Sequence, residues 1–203
     1  HGWALKYASD ALKADREVVL AAVSDCGMAL EYASAAMRDD RQIVLAAVNE
    51  SSEALNFASG TLKDNQDFIL AAVNKNGSAL EHASEVLQNN REIVLAAVQQ
   101  TSFGLSCASN SLKADRQIVL AAVIHNGWAL IHASRALIDD LEIVIAAVNS
   151  RGPVLQCASN RLKNNRKVVM AAVNQDGYAI QYALDALKDD REVVMAAVNH
   201  AGW

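Results

Sequence analysis

The triplet Ala-Ala-Val occurs eight times in this chain of 203 residues, and consecutive copies always begin 25 residues apart. The segment DREVVLAAV, from Asp15 to Val23, returns almost unchanged as DREVVMAAV, from Asp190 to Val198. A fixed period of this length is typical of tandem-repeat proteins, in which each unit packs on its neighbours. We number the units repeats 1 to 8; they end near residues 25, 50, 75, 100, 125, 150, 175 and 200.

Each repeat predicts two helices. In the first half, Leu30, Ala33 and Met37 stand at offsets of three and seven, which predicts one face of a helix of about ten residues. Asp or Asn follows at one fixed place, where its side chain would cap the second helix: Asp15, Asp40, Asn65, Asn90, Asp115, Asp140, Asn165 and Asp190. The second helix runs through the apolar block. We expect the glycine after it to adopt the left-handed conformation that ends many helices.

The second helix is apolar on all sides for two turns, so it needs cover from more than one direction. One repeat alone buries too little apolar surface to offset the entropy lost in ordering its backbone. The sequence therefore predicts an all-α fold, an α-solenoid of about eight tandem 25-residue helix-turn-helix repeats in a single domain over residues 1–203. Strands are the alternative for blocks such as IVLAAV, but the central alanines and capping residues favour helix.

The chain begins with HGWALKYASD and ends with NHAGW, both within the repeat pattern, so we expect a fragment of a longer polypeptide. Three widely spaced cysteines make a disulfide framework improbable on counting grounds and favour a reducing compartment such as the cytoplasm. The longest apolar run, IVIAAV, is too short to span a bilayer. A net charge of −5 argues against a nucleic-acid-binding surface.

The segments DREVVLAAV, NGWALIHAS and DGYAIQYALDALKDDREVVMAAV resemble the repeat of the family known as domain of unknown function 4116. The resemblance covers essentially the whole chain. It implies a helical array, often beside other domains, in intracellular bacterial pathogens, including their secreted effectors, and in algae and other protists. In a secreted effector the location would be the host cytosol. The resemblance carries no established activity and no catalytic residues. The chain departs from the pattern at Ser52, Ser102, Gln66, Leu141 and Pro153.

Three recurring positions have residue types that could carry chemistry. One repeat position forms a column of Tyr7, Tyr32, Phe57, His82, Cys107, His132, Cys157 and Tyr182. His and Cys are zinc ligands, but stacked helices about 8–10 Å apart are too distant for side chains of neighbouring repeats to share a zinc ion easily. We therefore interpret the column as packing. Serine recurs beside it, from Ser9 to Ser159, and we expect it to bond back to its own helix rather than to act as a nucleophile. An arginine after the cap predicts ion pairs with neighbouring acids, with a phosphate-binding row as the alternative. We expect no cofactor and no metal.

Repeat 6 departs most from the common pattern. Trp128, Ile131 and Ile138 stand at helical offsets with Arg135 among them, at places that are mostly polar elsewhere. Ile124 and Leu141 also replace polar residues, although the sequence does not place them on the same surface. An exposed Trp with aliphatic neighbours and an Arg has the composition of a protein-binding hot spot. Cover by another part of a longer chain is the alternative.

Two weaker patterns concern other exposed places. Trp3, Met28, Phe103, Trp128, Tyr178 and Trp203 share one repeat position and predict either an interrupted aromatic ridge or packing over the turn below. The residues at the end of the second helix, from Asp25 to His200, vary most. Such variation is typical of an adaptable binding edge and equally of an unconstrained surface.

These patterns favour a non-enzymatic scaffold or recognition arm that binds a protein partner, because layered repeats offer long surfaces and no deep pocket. One alternative is the targeting arm of a larger enzyme or secreted bacterial effector whose catalytic domain lies elsewhere. Another is a structural subunit of a filament or large complex, in which apolar repeat ends associate end to end.

Overall fold

The structure is a computed structural model that describes residues 1–101 and 103–199. Ser102, His200 and Trp203, which the sequence patterns single out, lie outside the described residues. Within them every regular element is a helix, and no strand occurs. The all-α tandem-repeat fold expected from the sequence is therefore confirmed.

One long α-helix occupies the second half of each repeat. Its first turn is closed by the predicted cap: in repeat 2, Asp40 Oδ1 accepts hydrogen bonds from the amides of Gln42 at 2.9 Å and Ile43 at 3.1 Å. The helices are α1 Arg16–Asp25, α2 Arg41–Glu50, α3 Gln66–Lys75, α4 Arg91–Gln100, α5 Arg116–His125, α6 Leu141–Ser150, α7 Arg166–Gln175 and α8 Arg191–Asn199. These helices have at most ten residues, and a bilayer span needs about 20, so no helix of the described part could cross a membrane.

The first half of each repeat is two short helices, and the prediction of one continuous helix of about ten residues is wrong. A 3₁₀ helix comes first, at Gly2–Tyr7, Gly27–Tyr32, Ser52–Phe57, Gly77–His82, Gly127–His132, Gly152–Cys157 and Gly177–Tyr182, with an α-helical turn at Gly104–Cys107 in repeat 5. A second short helix follows, at Asp10–Lys13, Ala35–Arg38, Gly60–Lys63, Glu85–Gln88, Asn160–Lys163 and Asp185–Lys188, and as 3₁₀ turns at Leu112–Ala114 and Leu137–Asp139.

The break between the two short helices lies at the position of the recurring serine, which Leu184 occupies in repeat 8. In repeat 2 the Ser34 backbone is extended, and its amide donates to the Lys13 carbonyl oxygen of the preceding repeat at 2.9 Å. The Ser34 hydroxyl accepts from the Met37 amide at 3.4 Å, so it caps the helix ahead of it. The expectation that these serines bond back to their own helix is therefore wrong. The amide that a continuous helix would use internally joins neighbouring repeats instead.

The glycine at the start of the repeat serves close packing. No described glycine has a positive φ, so the expected left-handed helix end is wrong. A Cβ placed on Gly27 would lie 2.2 Å from the Ala47 carbonyl oxygen, and one on Gly127 would lie 2.5 Å from that of Ala147. Glycine is required because the 3₁₀ helix begins directly against the end of the long helix of its own repeat.

The chain divides into two compact units, His1–Gln100 and Thr101–Trp203. In the first unit α1 to α4 pack in chain order, and in the second α5 to α8 do the same, with the 3₁₀ helices against them. The core of an inner repeat is fully buried, as for Ile43, Val44 and Val48 on α2. The expectation of one domain over residues 1–203 stays a prediction.

Candidate functional site

Trp128 and Ile131 lie together on the 3₁₀ helix Gly127–His132. Three residues complete one turn of a 3₁₀ helix, so side chains three apart lie one above the other. The Asn126 side-chain oxygen accepts from the Trp128 amide at 3.0 Å and fixes the start of this helix. Trp128 is 36% exposed and Ile131 is 62% exposed. Both apolar side chains therefore reach the surface of the second unit.

Ile138 is half-buried on the 3₁₀ turn Leu137–Asp139, the second short helix of the repeat that contains Ile131. Ile138 occupies position 13 of its repeat, the position of Gln88 in repeat 4. The Gln88 side-chain amide donates to the carbonyl oxygens of Leu80 at 3.2 Å and Glu81 at 3.1 Å, at the end of its own 3₁₀ helix. By this equivalence we expect the Ile138 side chain to lie near the end of the 3₁₀ helix that contains Ile131.

Arg135 is exposed at the start of the turn that leads to Ile138, three residues before it. We call Trp128, Ile131, Arg135 and Ile138 the Trp128 surface. It is held by two short elements and not by one helical face, because the backbone is extended at Ala133.

Ile124 and Leu141 lie on the long helices, not on the short helices that carry the Trp128 surface. Leu141 is the first residue of α6 and is 39% exposed, whereas Ile124 is the last but one of α5 and is 64% exposed. The amino ends of α5 and α6 are adjacent, because Arg116 pairs with Asp140. Ile124 is eight residues beyond Arg116, so the two side chains are separated by about 12 Å along the helix axes. They do not form one cluster.

The arginine after the cap forms the predicted ion pairs at Arg16, Arg116 and Arg166, whereas Arg41 donates to the side-chain oxygen of Asn65 at 3.3 Å. Arg116 Nε lies 3.2 Å from Asp140 Oδ2, and Arg116 Nη2 also pairs with Glu142. Arg166 repeats this arrangement with Asp190 at 3.1 Å and with Glu192. Hydrogen bonds from the Ile143 amide and from Arg116 lower the pKa of Asp140. Because acids engage these guanidinium groups, the row is poorly suited to binding phosphate.

The column of aromatic, His and Cys side chains is half-buried except at Tyr7, which is 84% exposed. The Trp3 ring lies against Tyr32 of the next repeat, with ring centroids 5.9 Å apart and planes tilted by 58°, and Lys6 Nζ lies 5.7 Å from the Tyr32 ring. Among the described residues no group of three His, Cys, Asp or Glu side chains could hold a metal ion. Burial raises the pKa of the Cys157 thiol, which keeps it protonated at neutral pH.

Burial and, secondarily, the nearby Lys113 ammonium lower the pKa of His132.

Sequence reasoning did not connect Lys113 or Lys163 with the Trp128 surface. Both share repeat position 13 with Ile138. Aligning the repeats position by position would have revealed this column.

Comparison with known proteins identifies a family and no individual relative. The family described as Domain of unknown function (DUF4116) matches in seven overlapping segments, residues 1–38, 15–63, 40–88, 65–113, 90–138, 140–188 and 165–203. No curated protein and no solved structure matches the chain.

Proposed function

This chain belongs to the DUF4116 family, and from that premise we propose that it is a non-enzymatic scaffold or recognition arm that binds a protein partner. The observation that carries the proposal is the Trp128 surface. Repeat 6 has the same buried core as its neighbours, with Ile143, Val144 and Val148 fully buried. Its exposed Trp and Ile side chains are therefore not needed to complete the fold. Exposed Trp beside aliphatic residues and an Arg is the composition of binding hot spots.

The absence of enzymatic activity is part of the proposal and has its own support. The hydroxyls of Ser9, Ser34, Ser59, Ser109 and Ser159 each accept from the amide three residues further on and so cap short helices. A hydroxyl that is held as a helix cap is poorly placed to act as a nucleophile. The thiol of Cys157 has a raised pKa, which also disfavours nucleophilic chemistry.

The test is affinity enrichment with the complete protein, read by quantitative mass spectrometry. The variant Trp128→Ala with Ile131→Ser is compared with wild type. The matched control is Tyr178→Ala with Gln181→Ser, at the same positions in repeat 8, where Tyr178 is also exposed. We expect the first variant to lose partners that the control retains. If both variants retain every partner of the wild type, the Trp128 surface is not a binding site.

End-to-end association is a second candidate, supported by the first and last repeats. Leu12 is 47% exposed, whereas its equivalent Leu62 is 5% exposed. Val198 is 64% exposed, whereas its equivalent Val148 is fully buried. Inner repeats bury these two positions against a neighbouring repeat, and in this second candidate a second copy of the chain takes the place of that neighbour at Leu12 and Val198. Sedimentation velocity across a concentration series would reveal such assembly, and a constant monomer would exclude it.

A role as the targeting arm of a larger enzyme or secreted effector is compatible with either candidate. It rests on the family alone and is decided by the complete reading frame.

A further inference from the structure

Two lysines flank the apolar centre of the Trp128 surface. Lys113, Ile138 and Lys163 occupy position 13 in three successive repeats. The Ser134 amide donates to the Lys113 carbonyl oxygen at 2.9 Å, and the Ser159 amide donates to that of Ile138 at 3.0 Å. Each residue of the column therefore lies against the next repeat. Ile138 has one lysine on either side.

The surface around this column has a positive charge. Positions 3, 6, 10 and 13 of repeats 5 to 7 contain three basic residues, Lys113, Arg135 and Lys163, and no acidic residue. The other residues at these positions are Phe103, Trp128, Pro153, Ser106, Ile131, Gln156, Asn110, Asn160 and Ile138. Asp139 follows Ile138 directly, but its carboxylate accepts from Arg161 Nε at 2.9 Å and from the Ser159 hydroxyl. The neighbouring acid is thus already neutralised by an arginine.

The spacing of the lysines limits the length of a complementary segment. Packed helices in neighbouring layers lie about 8–10 Å apart, so two layers separate Lys113 from Lys163 by roughly 16–20 Å. An extended peptide rises about 3.3 Å per residue and covers this span with about six residues. Its central side chains would face Trp128, Ile131 and Ile138.

We infer that the partner segment is a peptide with acidic residues at both ends and bulky apolar residues at its centre, bound with its ends at Lys113 and Lys163. The inference rests on the proposed function and names the chemistry of the partner. Opposite charges at the rim select the partner and speed the encounter, while the apolar centre supplies most of the affinity. A single-stranded RNA is the poorer match, because two of the central side chains are aliphatic and bases stack on aromatic rings.

Four fluorescein-labelled probes test the inference by fluorescence anisotropy with the complete chain. The first is a twelve-residue peptide with three acidic residues at each end and a centre that alternates Leu or Phe with Ser. The second replaces the acids with Lys, and the third replaces the apolar residues with Ser. The fourth is a fifteen-nucleotide poly(U) RNA. We expect the first probe to bind at least about tenfold more tightly than the others, and its affinity to fall with added salt.

Charge-reversal variants locate the site. Lys113→Glu with Lys163→Glu is expected to weaken the first probe by about tenfold or more and to improve binding of the second. The matched control is Lys13→Glu with Lys63→Glu, at the same positions in repeats 1 and 3, and it is expected to change the affinity by less than about twofold. Far-UV circular dichroism confirms that each variant is folded.

The outcomes separate this inference from the proposed function. If the basic peptide or the RNA binds as tightly as the first probe, the acidic partner is wrong, although Trp128→Ala still tests whether the surface binds at all. If the first probe binds but is unaffected by Trp128→Ala, the assignment of the peptide to this surface fails, and the proposed function is decided by the affinity enrichment alone. Absence of binding by the first probe at millimolar concentration also overturns the inference.

Discussion

Repeats 2 to 4 and repeats 5 to 7 have the same interior and different exteriors. Ile43 on α2 and Ile143 on α6 occupy the same repeat position, and both are fully buried. At positions 3, 6, 10 and 13, however, repeats 2 to 4 have two basic residues, Arg38 and Lys63, and four acidic residues, Glu31, Glu53, Glu81 and Glu85. The other residues at these positions are Met28, Ser78, Asn56, Ala35, Gly60 and Gln88. Repeats 5 to 7 have three basic residues and no acidic one.

The difference shows which positions the fold constrains. A side chain that is fully buried between helices has neighbours on every side, so its volume is fixed by packing. A side chain on the exposed part of the 3₁₀ helix meets water on one side and can change type without a cost to the core. Partner specificity can therefore differ between stretches of the chain that share one core.

The largest effect should come from truncating the shared core. Ile43→Ala and Ile143→Ala each remove a fully buried side chain, and each should lower the free energy of unfolding by about 2–5 kcal/mol. Urea unfolding followed by circular dichroism measures the loss, with hydrogen exchange to show which repeats open. A loss below about 1 kcal/mol for only one of the two variants would show that the cores are not equivalent.

Transplanting the surface should give a gain of binding of intermediate size. In a chain that already carries Trp128→Ala, we combine Met28→Trp, Glu31→Ile, Ala35→Arg and Arg38→Ile. Lys13 and Lys63 already flank position 38 as Lys113 and Lys163 flank Ile138. We expect the acidic, apolar peptide to bind again, within about tenfold of its wild-type affinity.

The control for this transplant keeps Met28 and contains the other three substitutions. It should bind the peptide at least about tenfold more weakly, because a central Trp is a typical hot-spot residue. Equal binding by the control would show that the charges and the two introduced isoleucines suffice and that the aromatic side chain is dispensable.

The sequence predicted the repeat, the fold class, the capping residues and the arginine ion pairs, because each depends on residue types at a fixed period. It did not predict the break in the first helix. The offsets of Leu30, Ala33 and Met37 are satisfied by a helix, and they are also satisfied by two short helices, in which Leu30 and Ala33 are buried and Met37 is half-buried. The deciding bond, from the Ser34 amide to the Lys13 carbonyl oxygen, joins two repeats and leaves no local pattern. The recurrence of serine, a preferred cap, was the one available signal.

The glycine was misread for a related reason. Glycine after a helix is typical of a left-handed end, but Gly127 is needed because the Ala147 carbonyl oxygen comes so close. Close approach between segments 20 residues apart is a tertiary property. The same limit applies to the site. The sequence grouped Trp128 with Ile131, and its repeat alignment puts Lys113, Ile138 and Lys163 at one position, but the hydrogen bonds between repeats are what make these three residues neighbours in space.

The smallest effect should come from Ile124→Asn with Leu141→Arg, which restores the residue types common at these positions. Both side chains lie on long helices and are partly exposed, so their loss leaves no cavity, and stability should change by less than about 0.5 kcal/mol. Affinity for the acidic, apolar peptide should change by less than about twofold, because the substitutions lie outside the Trp128 surface. Anisotropy and urea unfolding measure both quantities. A tenfold loss of affinity would mean that the peptide also crosses the long helices, and the two sets of exposed residues would then form one larger interface.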